Sequence, residues 1–181
     1  MIFKEKVLKK LEDYIVSIKD FPKEGIIFRD ITNMIEQPDG LQLAIKEFCN
    51  KLENIEYDVI VGPEARGFIF GVPVAYAEKK GFVPVRKAGK LPRPTISKEY
   101  DLEYGTATLE IHKDSIKPGD KVVIVDDLMA TGGTIKAMIE MIEQLGGEVV
   151  MCLFLIELKG LNGRKKLEGT RVEALISYEG C

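Results

Sequence analysis

The stretch of residues 121–134 reads KVVIVDDLMATGGT and combines a short apolar run, two adjacent carboxylates and a turn of small residues. The run at 122–125 is rich in β-branched side chains, which predicts a strand buried on both faces of a parallel sheet. An apolar pattern with helical spacing follows the turn and ends at Gly146 and Gly147, so it predicts a helix. The stretch therefore predicts a strand, an acidic pair, a turn and a helix, in that order.

The turn is suited to bind a phosphate group. Its small residues leave several backbone N–H groups accessible at the positive end of the following helix: Ala130, Thr131, Gly132, Gly133 and Thr134. Asp126 and Asp127 come at the carboxyl end of the strand, where open α/β sheets bind ligands. Carboxylates repel phosphate, so these two are expected to face sugar hydroxyls, a metal ion or developing positive charge. A ribose 5-phosphate fits both features, because its phosphate can bind the turn and its hydroxyls can bind the acids. The alternative without a ligand is a helix start with acidic capping residues and a flexible turn.

Length and composition predict a single domain over residues 1–181, with an ordinary globular content of 45% hydrophobic and 30% charged residues. The net charge of −3 argues against nucleic acid as an electrostatic partner. No signal peptide and no apolar run of about 18 residues is found, so we expect no membrane association and a cytoplasmic protein.

The cysteines and the histidine limit the chemistry that the chain can perform. Cys49 and Cys152 fall in apolar patterns and are predicted to be buried thiols, whereas Cys181 is the last residue. His112 is the single histidine, and we expect it to be a solvated or hydrogen-bonded surface residue. Catalytic triads based on histidine and metal sites with several histidines are therefore not expected.

The rest of the pattern predicts helices alternating with strands. Residues 3–18 have the spacing of an amphipathic helix, and a second helix begins at Pro38. Strands are predicted at 58–62, 82–86, 122–125 and 149–156, with an edge strand at 171–178. This alternation predicts an α/β fold with a mostly parallel twisted sheet flanked by helices.

Two basic segments follow strands of this sheet. Arg66 stands in the turn PEARG directly after the strand at 58–62, and its guanidinium is suited to bidentate binding of a phosphate. Lys87 and Lys90 follow the strand at 82–86 and are predicted to contact a diphosphate. A surface salt bridge for Arg66 and a solvated turn for the lysines are the alternatives.

Residues 94–105 show no clear period. A long connection inside a compact domain is usually functional or disordered, so we predict a mobile lid over about 92–108 that returns to the sheet through a strand beginning at Thr106.

The stretch VVIVDDLMATGGT resembles the phosphoribosyl-diphosphate-binding motif of the type I phosphoribosyltransferases. Three further segments are similar to the adenine-specific members of that family: FPKEGIIFRDIT, EARGF and LEYG. The resemblance implies that family's fold, with a small N-terminal hood at about 20–35. It also implies transfer of the phosphoribosyl group from 5-phosphoribosyl 1-diphosphate to adenine, giving AMP and diphosphate in purine salvage. Mg²⁺ is expected to arrive with the diphosphate, without a dedicated metal site, and the chain is expected to form a homodimer.

The resemblance also implies roles for single residues. Glu103 corresponds to the acid/base group beside the base, and Tyr104 to a residue that covers the reacting groups when the loop closes. Asp126 and Asp127 correspond to the catalytic acids that orient the ribose. The adenine site is expected to include three hood residues and one residue of the central stretch: Ile27, Phe28, Arg29 and Leu128. In relatives the turn that matches EARGF often contains a non-proline cis peptide, and many of them have serine in place of Ala65.

Two other functions remain open from the sequence. The acceptor base could be a 6-oxopurine, although the hood segment and LEYG argue against it. The chain could also be a regulator that binds the sugar diphosphate without turnover, but such regulators commonly carry an additional nucleic-acid-binding module or a basic face. The length of this chain leaves no room for such a module and its net charge is −3, so we do not expect this function.

Overall fold

The structure is a computed structural model that describes residues 9–101 and 105–180. Its helices and strands are β1 (Val16–Lys19), β2 (Ile27–Asp30), α1 (Thr32–Glu36), α2 (Pro38–Leu52), β3 (Val59–Pro63), α3 (Arg66–Ala77), β4 (Gly81–Lys87), β5 (Thr95–Asp101), β6 (Thr106–His112), β7 (Lys121–Met129), α4 (Gly133–Gln144), β8 (Glu148–Leu158) and β9 (Val172–Tyr178). Short 3-10 turns occur at Leu11–Tyr14, Lys159–Leu161 and Gly163–Leu167.

The main sheet has seven strands in the order β5-β6-β4-β3-β7-β8-β9. The five strands from β4 to β9 in this order run parallel to their neighbours. The other two strands, β6 and β5, add an antiparallel hairpin at one edge. The prediction of a mostly parallel sheet flanked by helices is therefore confirmed, and the edge position of β9 is confirmed with it.

Strand β7 is buried on both faces, as its sequence predicted. Val123 and Val125 pack into one core with Phe48 of α2 and Phe70 of α3. On the opposite face, Val122 and Ile124 pack into a second core with side chains that include Met138 of α4, Phe154 of β8 and Leu109 of β6. Because helices cover the two faces, the carboxyl end of β7 remains as the place where a ligand can reach the sheet.

The helix expected over residues 3–18 is wrong for the described part of that range. The chain forms the 3-10 turn Leu11–Tyr14 and then the strand β1, which pairs antiparallel with β2. Tyr14 is held in place by its hydroxyl, which donates a hydrogen bond of 2.7 Å to Asp39 at the start of α2. All four residues of β1 are exposed, so pairing with β2 determines the structure here and the helical spacing of apolar residues does not.

Strands β1 and β2 form a small two-stranded sheet of their own, apart from the main sheet. Strand β2 lies within the part of the chain predicted as the hood, about 20–35, whereas β1 precedes that part. Phe28 of β2 contacts Phe21 edge to face, with the ring centroids 5.3 Å apart.

The loop predicted at about 92–108 is mostly a β-hairpin in the described residues. Thr95 of β5 pairs with His112 of β6, and the pairing continues to Asp101 and Thr106. The backbone hydrogen bonds of this hairpin form although the sequence of β5 lacks a clear alternation. Glu103 and Tyr104, the two catalytic candidates of this segment, lie outside the described residues.

His112 is buried rather than solvated, with 6% of its surface exposed. Its Nδ1 has no hydrogen-bond partner among the described residues. Cys152 is buried as predicted, whereas Cys49 is only partly buried. In the described ranges, no helix is both long and apolar enough to cross a lipid bilayer.

Candidate active site

Two neighbouring carboxylates mark the carboxyl end of β7. Asp126 and Asp127 belong to the strand itself, which continues to Met129 and not only to Val125 as the sequence suggested. Asp127 is 4% exposed, and its backbone N–H donates a hydrogen bond of 2.8 Å to Oδ1 of Asp126. The pair is thus fixed at the carboxyl end of a central strand, where open α/β sheets bind ligands.

Arg66 extends from the start of α3 to this acidic pair. Its Nε lies 3.0 Å from Oδ2 of Asp127, while 46% of its side chain stays exposed. The peptide bond between Glu64 and Ala65, just before α3, is cis, as the family resemblance implied. Arg66 is therefore both a partner of Asp127 and accessible to a ligand, so the salt-bridge alternative and the phosphate-binding interpretation do not exclude each other.

The electrostatics of the pair follow from this burial. Burial raises the pKa of Asp126 well above its ordinary value, and the adjacent Asp127 carboxylate raises it further. Burial also raises the pKa of Asp127, although the positive charge of Arg66 opposes this effect. Two desolvated acids beside each other favour any ligand that brings positive charge or hydroxyl donors to them.

The turn after β7 encloses a small cavity of about 80 Å³. Its lining includes the five residues predicted to hold a phosphate, Ala130, Thr131, Gly132, Gly133 and Thr134. Gly132 begins α4 with φ +78°, a left-handed conformation that glycine adopts without steric cost. The backbone N–H groups at this helix start are the donors that an anion needs.

A larger cavity of about 270 Å³ adjoins the small one and shares Asp126, Leu128, Ala130 and Thr134 with it. Its other lining residues include Arg66, Lys87, Tyr100 and Asp127. The structure thus brings together most of the residues predicted to bind a sugar diphosphate. Tyr100 stands three positions before Glu103 in the chain.

Glu64 is a residue of the site that sequence reasoning missed. Its carboxylate accepts hydrogen bonds from the Arg86 side chain at 2.8 Å and the Lys87 backbone N–H at 2.9 Å, and it pairs with Lys90 at 3.0 Å. Burial alone would raise the pKa of Glu64, but these donors and charges outweigh it and hold the pKa at about 2. The register between β3 and β4 sets Pro63 opposite Val85 and so joins groups more than twenty residues apart in the chain, which no local pattern indicates.

Glu64 contacts both lysines that were predicted to bind the diphosphate, Lys87 through its backbone and Lys90 through its side chain. Lys87 lines the larger cavity. Lys90 is not among the described residues that line it, and its Nζ lies 3.0 Å from Oε1 of Glu64. A diphosphate would have to draw Lys90 away from this carboxylate.

The hood residues predicted to bind adenine lie on β2. Of the described residues that line the two cavities, Leu128 is an adenine candidate, and none belongs to β2. The Arg29 guanidinium lies over the Tyr178 ring, 3.8 Å from its centroid, and donates a hydrogen bond to the Ser17 hydroxyl. Hydrogen bonds from Thr32 lower the pKa of Asp30, and the charge of Arg66 lowers it further, so β2 is electrostatically linked to the site.

Comparison with known proteins gives consistent results. A model of the phosphoribosyl transferase domain matches residues 32–174. Over 173 residues, the chain is 62% identical to an adenine phosphoribosyltransferase of Agathobacter rectalis, covering 96% of this chain and 99% of the relative. The crystal structure of adenine phosphoribosyltransferase from Thermoanaerobacter pseudethanolicus is 52% identical with a TM-score of 0.90, covering 93% of this chain and 100% of the other. The enzyme from Saccharomyces cerevisiae, complexed with an imino-altritol bisphosphate and adenine, is 42% identical with a TM-score of 0.88, covering 91% and 96%.

Proposed function

Because this chain belongs to the phosphoribosyl transferase family, we propose that it transfers the 5-phosphoribosyl group from 5-phosphoribosyl 1-diphosphate to N9 of adenine. The products are AMP and diphosphate, and the role is purine salvage. The observation that carries the proposal is the junction at the end of β7, where Asp126 and the buried Asp127 lie between a phosphate-sized turn and Arg66.

The first role of the site is to hold the donor. We propose that the backbone N–H groups of the turn bind the 5′-phosphate, in the cavity lined by Thr131 and Gly133. Asp126 and Asp127 then accept hydrogen bonds from the ribose hydroxyls. Fixing the sugar at both ends sets the anomeric carbon at a defined distance from the base, and this lowers the entropic part of the barrier.

The second role is to stabilise the transition state. As the bond to diphosphate breaks, positive charge develops on the ribose ring, as in glycoside cleavage. The two carboxylates are fixed by the strand and desolvated, so they stabilise that charge without having to reorganise. Burial raises the pKa of both acids, and a cationic transition state favours their ionised form.

The leaving diphosphate needs positive charge on the other side of the sugar. We propose that Arg66 and Lys87 supply it from the larger cavity, together with Lys90 once it leaves Glu64. Within the described ranges, no three His, Cys, Asp or Glu side chains are grouped as metal ligands. Oxygen donors suit Mg²⁺ and the diphosphate would supply most of them, so a Mg²⁺ ion carried by the substrate would add positive charge beside Arg66 and Lys87.

Glu103 and Tyr104 complete the proposal by resemblance to the family. Glu103 exchanges a proton with adenine at N7, and Tyr104 excludes water from the reacting groups. Replacing Glu103 with Gln is expected to lower kcat roughly 10²- to 10⁴-fold, the range for a lost acid/base group. Single-turnover measurements of AMP formation test this, and turnover close to wild type removes Glu103 from the mechanism.

Adenine is the proposed acceptor because the hood segment FPKEGIIFRDIT is similar to that of adenine-specific enzymes. The backbone at Ile27 and Arg29 is proposed to pair with the amino group and N1 of the base, while Phe28 and Leu128 contact the ring. A 6-oxopurine would leave those backbone groups mismatched, at roughly 1–3 kcal/mol each.

The deciding experiment is nucleotide formation from phosphoribosyl diphosphate and Mg²⁺, with adenine, hypoxanthine, guanine and xanthine assayed side by side. We expect AMP from adenine and at least about a thirtyfold lower kcat/KM for the 6-oxopurines, because two mismatched groups cost at least about 2 kcal/mol. Turnover of a 6-oxopurine would keep the chemistry and overturn the assignment of the base. Saturable donor binding without turnover of any base would instead indicate a regulator.

A further inference from the structure

We propose that the 3-10 turn Gly163–Leu167 positions the phosphate-binding turn, and that the ion pair between Glu157 and Arg164 holds Gly163 against it. Glu157, Gly163 and Arg164 are then positioning residues for the 5′-phosphate, although none of them lines the two cavities of the site. This inference rests on the proposed function, because it concerns the same phosphate site.

The first observation is a backbone contact without room for side chains. A Cβ atom added to Gly132 would lie 2.6 Å from the carbonyl oxygen of Gly163. A Cβ atom added to Gly163 would in turn collide with the carbonyl oxygen of Ala130 and lie 3.2 Å from the N atom of Gly132. The turn that begins α4 therefore rests directly on the backbone of Gly163.

The second observation explains what keeps Gly163 there. Arg164 donates two parallel hydrogen bonds to Glu157, from Nε at 2.7 Å and Nη2 at 2.8 Å, and its Nη1 donates to the carbonyl oxygen of Val172 at 2.8 Å. The Glu157 side chain is only 4% exposed. This bidentate geometry fixes the direction of Arg164 as well as its position.

The third observation is where Glu157 is anchored. In the register of the parallel sheet, Glu157 of β8 pairs with Met129 of β7, the residue directly before Ala130. The strand that leads into the phosphate-binding turn and the strand that carries the acid are thus neighbours at this level. The Met129–Glu157 strand pairing and the Glu157–Arg164 ion pair thus link the end of β7 to Gly163, and Gly163 in turn contacts Gly132.

These linked contacts restrict the backbone of the phosphate-binding turn, and this matters for binding. Amide donors hold an oxyanion well only when their directions are set before the ligand arrives, and a misplacement of about 1 Å can cost a factor of about a hundred. Glycine is conformationally permissive, and two adjacent residues of the turn, Gly132 and Gly133, are glycines, so a contact from outside the turn is needed to restrict its backbone.

Gly163→Ala is the first test, because it adds a single methyl group between two backbones. We expect the KM for phosphoribosyl diphosphate to rise ten- to a hundredfold, by about the cost of a 1 Å misplacement, while the KM for adenine changes less than threefold. The affinity for ribose 5-phosphate, measured by calorimetry, should fall by the same factor as the donor KM rises. Gly81→Ala is the matched control, since a Cβ at Gly81 meets only Val59, at 3.8 Å.

A second variant separates geometry from charge. Arg164→Lys keeps the positive charge but loses the bidentate fork, so the donor KM should again rise selectively. Lys165→Ala removes a neighbouring positive charge without touching Glu157, and it should leave both KM values unchanged. If Gly163→Ala does not fold, Arg164→Lys and the isosteric Glu157→Gln give the same readout.

The outcomes distinguish this inference from the proposed function. Unchanged ribose 5-phosphate affinity in folded Gly163→Ala and Arg164→Lys proteins overturns the positioning role. An equal rise in the KM values of both substrates also overturns it, because that indicates a general loss of structure. If the wild-type protein turns over no base, the proposed function fails, and the ribose 5-phosphate titration still decides whether Gly163 positions the turn.

Discussion

At the level of single residues, the sequence indicated Asp126, Asp127 and Arg66 as site candidates but not Glu64. The three candidates could be selected because each stands at or just after the end of an apolar run that predicts a strand. Glu64 was not, since its partners on β4 come within reach only through the register of the sheet. The adenine-binding role of β2 stays a prediction.

Asp126→Asn is expected to raise the melting temperature while lowering kcat roughly 10- to 10³-fold. Burial and the Asp127 charge raise the pKa of Asp126, so the folded protein binds this proton more tightly than the unfolded chain does. Stability therefore falls as the pH rises from the ordinary pKa of an aspartate through the raised value in the folded protein. Asparagine carries no such penalty, and its stabilising effect should be larger at pH 7 than at pH 4.

Calorimetric melting of the wild-type and Asp126→Asn proteins at both pH values, with kcat measured on the same samples, tests whether the variant is more stable and less active. A lower melting temperature at pH 7 would show that Asp126 makes a stabilising contact as a carboxylate. Wild-type kcat would remove it from the chemistry.

Glu64→Gln should destabilise the protein in a pH-dependent manner, because the pKa of Glu64 is lowered to about 2. The folded protein then releases this proton more readily than the unfolded chain, so the stabilisation is complete above the ordinary pKa of about 4.5 and is lost as the pH falls towards 2. We expect a loss of roughly 1–3 kcal/mol at pH 7, typical of charge-assisted hydrogen bonds.

Urea unfolding of both proteins at pH 7 and pH 3 measures this difference, which should shrink at the lower pH. Glu179→Gln is a suitable control, since Glu179 pairs with Lys159 while 84% of its side chain is exposed. Such an exposed pair contributes little. A loss for Glu64→Gln that does not depend on pH would contradict the ionic account.

At the level of elements, periodicity predicted the buried strands and the helices that pack on them. It failed at the N terminus, where apolar residues with helical spacing instead form a 3-10 turn and β1. It failed again at β5, which has little pattern of its own. Both strands form by pairing with a strand further along the chain, β2 and β6, and a local window contains no information on that partner.

Thr131→Leu tests the phosphate-binding turn as an element. The cavity of about 80 Å³ beside Thr131 has little spare room, so a larger apolar side chain should obstruct the phosphate and displace the amide donors. We expect the KM for phosphoribosyl diphosphate to rise at least tenfold, which corresponds to about 1.4 kcal/mol of lost binding, with a much smaller change for adenine. Initial-rate kinetics with each substrate varied in turn measure both constants, and equal effects on the two would mean that this turn does not bind the phosphate.

For the whole molecule, alternating strands and helices indicated the parallel sheet, and the pattern of β7 indicated that helices cover both faces. The order of strands and the antiparallel β5-β6 hairpin at the edge were not predictable, because pairing partners are chosen by the packing of the complete chain. The hood was placed by resemblance alone, and its separate two-stranded sheet is known only from the structure.

The last prediction concerns association, since the family resemblance implies a homodimer. Helix α3 presents Val72 and Tyr76, which are 48% and 87% exposed and lie four residues apart, on one helix face. Large apolar side chains on such a face favour a contact with a second copy. Light scattering should therefore give twice the 20.3 kDa of the chain, and Tyr76→Glu should shift the mass towards the monomer. Ile18→Glu is the matched control on β1, where 40% of Ile18 is exposed, and it should leave the dimer intact. Dissociation by Ile18→Glu instead would move the interface to the two-stranded sheet, and a fully active wild-type monomer would contradict the dimer itself.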